Sequence, residues 1–231
     1  MKKRIAFSWS GGKDSALALY FLLNDDWYEV VCLISNFNAN GKLNMHAVPS
    51  QLIQKQAQQI GLPLKEVHVK DNDNKSFENA MRATLLELKS EGVEGVAFGD
   101  IFLENLKEYR TNKLNEVGMD AIFPLWSKDP HELIDLFLKF EFKTLTCCVN
   151  EDLLGERFIN RLLNEEFFEE LPDHVDVCGE NGEYHSFCFD GPIFKNPVHF
   201  EMAESWTKDY EFELDDGSLM QSTYRYSSLI S

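Results

Sequence analysis

The 231-residue sequence is short of several things, and each shortage excludes a class of protein. No apolar run approaches the roughly 18 residues of a membrane span. The basic start Met1-Lys2-Lys3-Arg4 is followed by only five residues before Ser10-Gly11-Gly12. A signal-peptide core needs roughly 7–15, so a cytoplasmic location and no membrane partner are expected. Cysteine is sparse: Cys32, Cys147, Cys148, Cys178 and Cys188 include no Cys-x-x-Cys pair and are odd in number. That excludes a disulfide framework and a structural zinc site, and leaves buried thiols in a reducing compartment. Positive charge is also scarce, with 22 Lys and Arg against 39 Asp and Glu, net −17. The deficit is uneven: residues 1–150 carry net −3, whereas residues 151–231, with 19 acids and 5 bases, carry net −14. Such a surface repels a nucleic-acid backbone, so no free DNA or RNA partner is expected, while a cationic substrate is compatible. There is no internal repeat, low-complexity tract or flexible linker. With 44% hydrophobic residues and 18 Phe, disorder is excluded too.

Two common phosphate signatures are missing as well. A Walker A loop ending at Gly12-Lys13 would need Gly at position 7 and Ser or Thr at position 14, where the chain has Phe7 and Asp14. Gly-x-Gly-x-x-Gly does not occur at this turn either. What stands there is Ser8-Trp9-Ser10-Gly11-Gly12-Lys13-Asp14-Ser15, between the apolar Ile5-Ala6-Phe7 and a helical pattern of Ala16, Leu17, Leu19, Tyr20, Leu22 and Leu23. This is strand, glycine turn, helix N-terminus. The first N–H groups of a helix lack intrahelical partners and sit at the positive end of its dipole. Gly11 and Gly12 let backbone approach an anion, Lys13 adds a point charge, and Ser10 and Ser15 add hydroxyls, so the stretch reads as a phosphate site. Ser-Gly-Gly-Lys-Asp-Ser also matches the PP-loop of the ATP pyrophosphatases.

Along the chain, strands are predicted over 28–35, 64–69, 93–98 and 121–124, with a further apolar strand over 143–149. Helices are predicted over 50–60, 76–89, 103–117, 130–140 and 155–168. Loops are predicted at 36–44 and 71–75. Alternating strands and helices argue for an open, doubly wound, mostly parallel α/β sheet, whose ligands bind at the carboxyl ends of the strands. That picks out the loop after the first strand, residues 35–46 after the second and Gly99-Asp100 after the fourth. Beyond residue 150 the pattern turns to an irregular Gly-containing stretch over 178–192 and then to β-like alternation. The division expected is 1–127 as the ATP-binding domain and 128–231 as a smaller α+β lobe, with residues 200–214 an edge sheet suited to homodimer formation.

The stretch Cys178-Gly179-Glu180-Asn181-Gly182-Glu183-Tyr184-His185-Ser186 is the second informative one. Turn glycines beside acids and a histidine let side chains converge on a ligand, where carboxylates bind magnesium or orient an amine. Together with Met45-His46, Gly99-Asp100, Tyr109-Arg110 and Pro124-Leu125-Trp126, in this order, the chain resembles the diphthine–ammonia ligase family of PP-loop ATP pyrophosphatases. The resemblance reaches to about residue 194. It implies a Rossmann-like (HUP-type) fold with a substrate-binding lobe. It also implies ATP-dependent amidation of diphthine, a modified histidine on elongation factor 2, to diphthamide with AMP and pyrophosphate. The sequence departs from the family's Gly-Glu-Gly-Gly-Glu-Tyr-Glu-Thr at Asn181 and His185-Ser186 and in Phe-Asp-Gly-Pro-Ile-Phe at 189–194, a form that looks like bacterial relatives.

The same resemblance implies the roles. Ser8, Ser10, Gly11, Gly12, Lys13 and Ser15 would hold ATP by its phosphates. Asp14 would ligate Mg2+ or cap the helix. Ser35 would lie at the adenine and Gly99-Asp100 along the nucleotide. His46, Arg110, Asn181, Gly182 and Tyr184 would meet the acceptor. Lys13, Asp14, Glu180, Glu183 and His185 are the expected catalytic groups, acting on ATP, an acceptor carboxylate on a small molecule or protein, and ammonia or an amine. Two alternatives stay open at this level: another PP-loop adenylating enzyme, tRNA-modifying or sulfur-transferring, and a non-enzymatic nucleotide-binding regulator.

Overall fold

The computed structural model describes residues 1–43, 46–69, 74–213 and 219–231. Among the sequence expectations, Asn44, Met45, the start of the 71–75 loop and Leu214 lie outside the described residues. The first layer is a parallel sheet of β1 (Lys3–Ser8), β2 (Tyr28–Phe37), β3 (Leu64–His68), β4 (Gly95–Ala97) and β5 (Asp120–Ile122), ordered β3-β2-β1-β4-β5. Between them run α1 (Lys13–Leu23), α2 (Ser50–Ile60), α3 (Asn74–Ser90) and α4 (Glu104–Asn115), and α5 (Pro130–Lys139) follows the sheet. This is the Rossmann-like α/β arrangement that the alternating pattern predicts.

Each face of the sheet carries its own core. Ile5, Phe7 and Leu33 pack with α1 and α2, whereas Ala6, Cys32 and Ile34 pack with α3 and α4. Strand alternation sends neighbouring residues to opposite faces, which is why β1 and β2 read as continuous apolar runs. α1 is buried almost all round, as its run of Ala16, Leu17, Ala18 and Leu19 requires. α2 starts after the extended Pro49 and stops at Gly61, whose φ of 85° is the left-handed region favoured by glycine. Asp129 caps α5 by accepting from His131 and Glu132 N–H, with Pro130 in the first turn. Strand order reverses at β1, because β2 lies to one side and β4 to the other. The loops after β1 and β4 therefore open a crevice between them.

The second layer is antiparallel: β6 (Lys143–Asn150), β7 (Tyr184–Asp190), β8 (Glu201–Glu213) and β9 (Leu219–Ile230), ordered β7-β6-β9-β8. The apolar strand over 143–149, read with the parallel series, belongs here. Its continuous run reports burial on both faces, with Leu145, Cys147 and Val149 in the main core and Cys148 beneath Tyr226, and burial does not distinguish parallel from antiparallel pairing. The helix expected over 155–168 is also corrected. A 3₁₀ turn at Glu156–Phe158 and a short α6 at Glu165–Glu169 flank extended chain. The Thr146 hydroxyl donates to Phe158 O and accepts from Arg161 N–H, Leu162 bridges Leu145, and Asn164 caps Phe167 N–H, so the helix starts there. β8 is the outer edge of this sheet. No helix among the described residues is long and apolar enough to cross a membrane.

Candidate functional site

A cleft of about 240 Å³ opens where the sheet order reverses. Ser8, Ser10, Gly12, Lys13, Asp14 and Ser15 line it from the first loop, Gly99, Asp100 and Arg110 from the β4–α4 segment, and Glu180, Tyr184 and His185 from the second layer. His46 reaches it from the β2–α2 loop. The phosphate stretch and the Gly-Glu-Asn-Gly-Glu-Tyr-His stretch, some 165 residues apart in sequence, thus face the same space (Lys13 Nζ donates to Cys178 O at 2.5 Å).

The first loop is tightly built. Gly11 has φ 76°, and a Cβ there would stand 2.7 Å from Gln56 Oε1 and 2.8 Å from Ile53 Cδ1. Only glycine fits both the conformation and the space. Ser10 and Ser15 hydroxyls pair at 2.6 Å, and Gly12 N–H donates to Ser10 Oγ. Fully buried Gln56 braces the loop: its Oε1 accepts from the Trp9 indole at 2.8 Å, and its Nε2 donates to Gly11 O and to Cys188 O at 3.0 and 2.6 Å. Cys188 N–H donates to Gly11 O at 2.8 Å. A strand of the second layer is therefore hydrogen-bonded directly to the phosphate loop.

The charges in the cleft are arranged in pairs. Lys13, 2% exposed, donates to Asp14 at 2.7 Å and sits 5.4 Å from the Tyr184 ring centre. Burial works against its ammonium, but the Asp14 carboxylate keeps it well above the ordinary lysine range. Burial raises Asp14 in spite of Lys13, with Asp176 adding to the effect. Arg110 holds Asp100 by two contacts, Nη2 to Oδ1 at 3.1 Å and Nε to Oδ2 at 2.9 Å, and lies over the Phe98 ring. Burial also raises Asp100. Glu180 accepts from Ile101 N–H at 2.9 Å, and burial together with the Asp14 charge pushes its carboxyl up to about 7. Burial, then His46, pushes His185 down to about 3, so its imidazole is neutral. The two rings lie 4.7 Å apart, and His185 Nε2 is buried without a hydrogen-bond partner among the described residues.

Several expected residues lie elsewhere. Glu183 is 3% exposed and points into its own turn, accepting from Asp176 N–H, Asn181 N–H and Asn181 Nδ2, so it holds the turn and does not line the cleft. Asn181 and Gly182 are likewise outside the lining. Gly182, at φ 88°, turns the chain toward β7. Ser35 is buried under the loop, donating to Trp9 O at 2.7 Å, and does not reach the cleft. Gly99 lines it, but a Cβ there would meet Asp14 and Ser15 backbone at 3.1 Å, so glycine is needed for close packing against α1. Gln56, Ser186 and Asn36 were missed. The partners of Gln56 and Ser186 are tens to hundreds of residues away and no local pattern marks them, whereas Asn36 lies within the 35–46 stretch that the strand-end rule picks out but carries no motif of its own. All five cysteines are buried. Cys178 lines the cleft, and burial pushes its thiol up to about 12, the opposite of a thiol activated for sulfur transfer.

A second pocket of about 140 Å³ adjoins the cleft between α3 and α4, sharing Ser8, Phe98 and Arg110 with it. Met81, Leu85 and Val96 make it largely apolar. Asn36, at the carboxyl end of β2, lines it and carries a buried Oδ1 with no hydrogen-bond partner among the described residues.

A family profile described as the diphthamide synthase N-terminal domain matches residues 2–121, and one described as the diphthamide synthase C-terminal domain matches residues 129–217. The chain belongs to the diphthamide synthase family. With its PP-loop, it is a member of a family of ATP-dependent carbon–nitrogen ligases. The diphthine–ammonia ligase of Homo sapiens is 23% identical over 87% of this chain and 84% of its own length. That of Danio rerio is 24% identical over 85% of this chain and 86% of its own. Among solved structures, a U34-tRNA thiolase from Methanococcus maripaludis with its 4Fe–4S cluster is 20% identical, with a TM-score of 0.38, over 61% of this chain and 58% of that one.

The residues fit ATP on two counts: a cradle that a Cβ at cleft-lining Gly12 would crowd, standing 3.1 Å from Ser186 O and 3.4 Å from His46 Nε2, and an amide oxygen with no hydrogen-bond partner among the described residues in an adjoining, largely apolar pocket. For magnesium the donor set is leaner. Among the described residues no three His, Cys, Asp or Glu side chains converge as a metal site. Magnesium commonly takes one or two carboxylates plus phosphate oxygens, and Asp14 in the loop satisfies that pattern.

Proposed function

We propose that this chain activates an acceptor carboxylate with ATP and amidates it with ammonia or another amine, releasing AMP and pyrophosphate. The observation that carries the proposal is that one cleft joins the phosphate loop to Glu180 and His185 of the second layer. ATP lies with its phosphates at the α1 N-terminus and its base in the α3–α4 pocket, where Asn36 Oδ1 accepts from the exocyclic amine of adenine. This places the base on the other side of β2 from Ser35. Magnesium, held by Asp14 and phosphate oxygens, would neutralise the leaving pyrophosphate.

The acceptor carboxylate oxygen attacks the α-phosphorus, and the bond to pyrophosphate breaks. The amine nitrogen then attacks the acyl carbon, the bond to AMP breaks, and one proton leaves the nitrogen. Glu180, held by Ile101 N–H and raised toward neutrality, takes that proton. Arg110, fixed by Asp100, and neutral His185 with the His46 ring beside it face the acceptor. Most of the rate gain comes from holding the reactants in one cleft beside fixed positive charge. Curated relatives are named for diphthine and ammonia, and a carboxylate on a modified histidine of a protein is the acceptor in this proposal. Residues 1–127 are assigned to ATP and 128–231 to the acceptor, with self-association along the exposed β8 edge and a cytoplasmic location.

The test incubates the full chain with α-labelled ATP, magnesium and ammonium, with and without a cell extract as acceptor source. AMP and pyrophosphate formed only with extract are expected. ADP and phosphate as products would overturn the proposal, and bound, unchanged ATP under all conditions would favour a nucleotide-binding regulator.

A further inference from the structure

β7 runs past the first turn of α1 closely enough that a Cβ on Gly12 would stand 3.1 Å from Ser186 O and 3.3 Å from Ser186 Oγ. Lys13 N–H, one of the helix's open donors, gives its hydrogen bond to Ser186 Oγ at 3.1 Å. The hydroxyl oxygen is thus an acceptor toward the helix. A serine hydroxyl also has one proton to donate. Among the described residues no hydrogen bond takes it. Ser186 is 4% exposed and lines the cleft. A buried hydroxyl oriented by a helix N–H, with its proton unclaimed at the edge of an anion cradle, is a donor waiting for an anionic acceptor.

The loop's own hydroxyls are placed differently. Ser10 and Ser15 face each other at 2.6 Å, so one of their two protons is used between them. Ser15 Oγ also accepts from Ser10 N–H. The loop alone therefore offers fewer hydroxyl donors than its sequence suggests.

We infer that Ser186 is a phosphate-binding residue: its hydroxyl, supplied by the second layer, donates to the β- or γ-phosphate seated at the α1 N-terminus. The phosphate cradle is then assembled from both layers. Cys188 N–H bonded to Gly11 O, and Gln56 bonded to both Gly11 O and Cys188 O, hold Ser186 in register with the loop. Nucleotide and acceptor are coupled through one strand, since His185, adjacent to Ser186, faces the acceptor side. The inference rests on the ATP reading above and adds to it a residue from outside the PP-loop.

The experiment measures binding of ATP, inorganic pyrophosphate and AMP to the full-length chain, wild type, Ser186→Ala and Ser186→Thr, by calorimetry with magnesium. One hydrogen bond to a charged oxygen predicts a loss of about tenfold in affinity for ATP and pyrophosphate in Ser186→Ala. AMP, which lacks the outer phosphates, keeps its affinity, and Ser186→Thr, which keeps the hydroxyl, stays within about threefold of wild type. Equal weakening for AMP and pyrophosphate, or no weakening for either, overturns the inference. If Ser186→Ala fails to fold, the wild-type structure with pyrophosphate decides: Ser186 Oγ within hydrogen-bond reach of a phosphate oxygen supports the role, and Oγ beyond it refutes it. Wild type that binds neither ATP nor pyrophosphate sinks the underlying ATP reading, a result distinct from tight wild-type binding left unchanged in Ser186→Ala.

Discussion

The two walls of the cleft use their polar groups in different ways. In the β1–α1 loop the side chains are mostly occupied with the loop itself: Ser10 with Ser15, Lys13 with Asp14 and Cys178 O, and Gln56 beneath with Trp9 and Gly11. In the turn before β7, two glutamates three residues apart divide the work. Glu183 has three donors and no access to the cleft, whereas Glu180 has Ile101 N–H, a raised carboxyl and the cleft in front of it. A buried polar group left open costs stability, so its persistence marks a site of function, while a satisfied one marks a site of construction. Substitutions should therefore separate the two kinds of group by the quantity that changes.

The largest effect is expected at Glu183. Glu183→Ala strands the Asp176 and Asn181 N–H groups inside the turn, at about 1–3 kcal/mol for each buried donor left unpaired. A loss of about 3 kcal/mol is expected, read as a lower urea midpoint and a melting temperature down by roughly 10 °C. An unchanged midpoint with abolished activity would break the comparison, because Glu183 would then be acting on substrate.

Glu180→Gln should do the reverse. The amide can still accept from Ile101 N–H, so the turn survives, but it cannot take a proton, and turnover should fall about 100-fold. The pH dependence has a definite sign. A carboxyl raised from 4.5 to about 7 favours its protonated form in the folded chain. Its stabilising contribution is complete below the unfolded value and is lost as pH rises through about 7. Activity needs the ionised form and rises over the same interval. Glu180→Gln should flatten both curves, removing the acidic limb of the rate profile and the loss of stability between about pH 5 and 8. A rate profile that keeps its acidic limb in the variant would assign that limb to another group.

How much of this was legible follows the range of the interactions. The Ser10–Ser15 loop could be read because its parts are consecutive, and strand, glycine turn and helix each leave a local pattern. The parallel sheet followed from alternation. The second layer was harder: the run over 143–149 is apolar whichever way its neighbours point, and the 155–168 stretch had helical spacing that Thr146 and Leu145 override by capturing Phe158, Arg161 and Leu162. Within the site, Glu180 and Glu183 look alike in sequence. Gly179 at φ 69° and Gly182 at φ 88° bend the chain so that one faces out and the other in. Gln56 and Ser186 act across 45 and 173 residues, beyond any sequence period.

The smallest and most discriminating effect is expected at Asn36. Its Oδ1 is buried in the pocket that Met81, Leu85 and Val96 also line, with no partner among the described residues, a standing cost of about 1–3 kcal/mol to the unliganded fold. Replacing the amide with a near-isosteric apolar side chain removes that cost, so Asn36→Leu should leave the unliganded chain as stable or about 1 kcal/mol more stable. If Oδ1 serves the exocyclic amine of adenine, the same substitution weakens ATP binding by about tenfold. It also erases the preference for ATP over a nucleotide with a carbonyl at that position. Opposite signs for stability and affinity are the signature of a polar group kept for a ligand. A general disturbance of the α3–α4 pocket would lower both together. Chemical denaturation of the unliganded variant, set beside calorimetric titration with ATP and GTP, separates the cases. Asn36→Leu that binds ATP at wild-type strength would move the base out of this pocket and leave the open amide without a role.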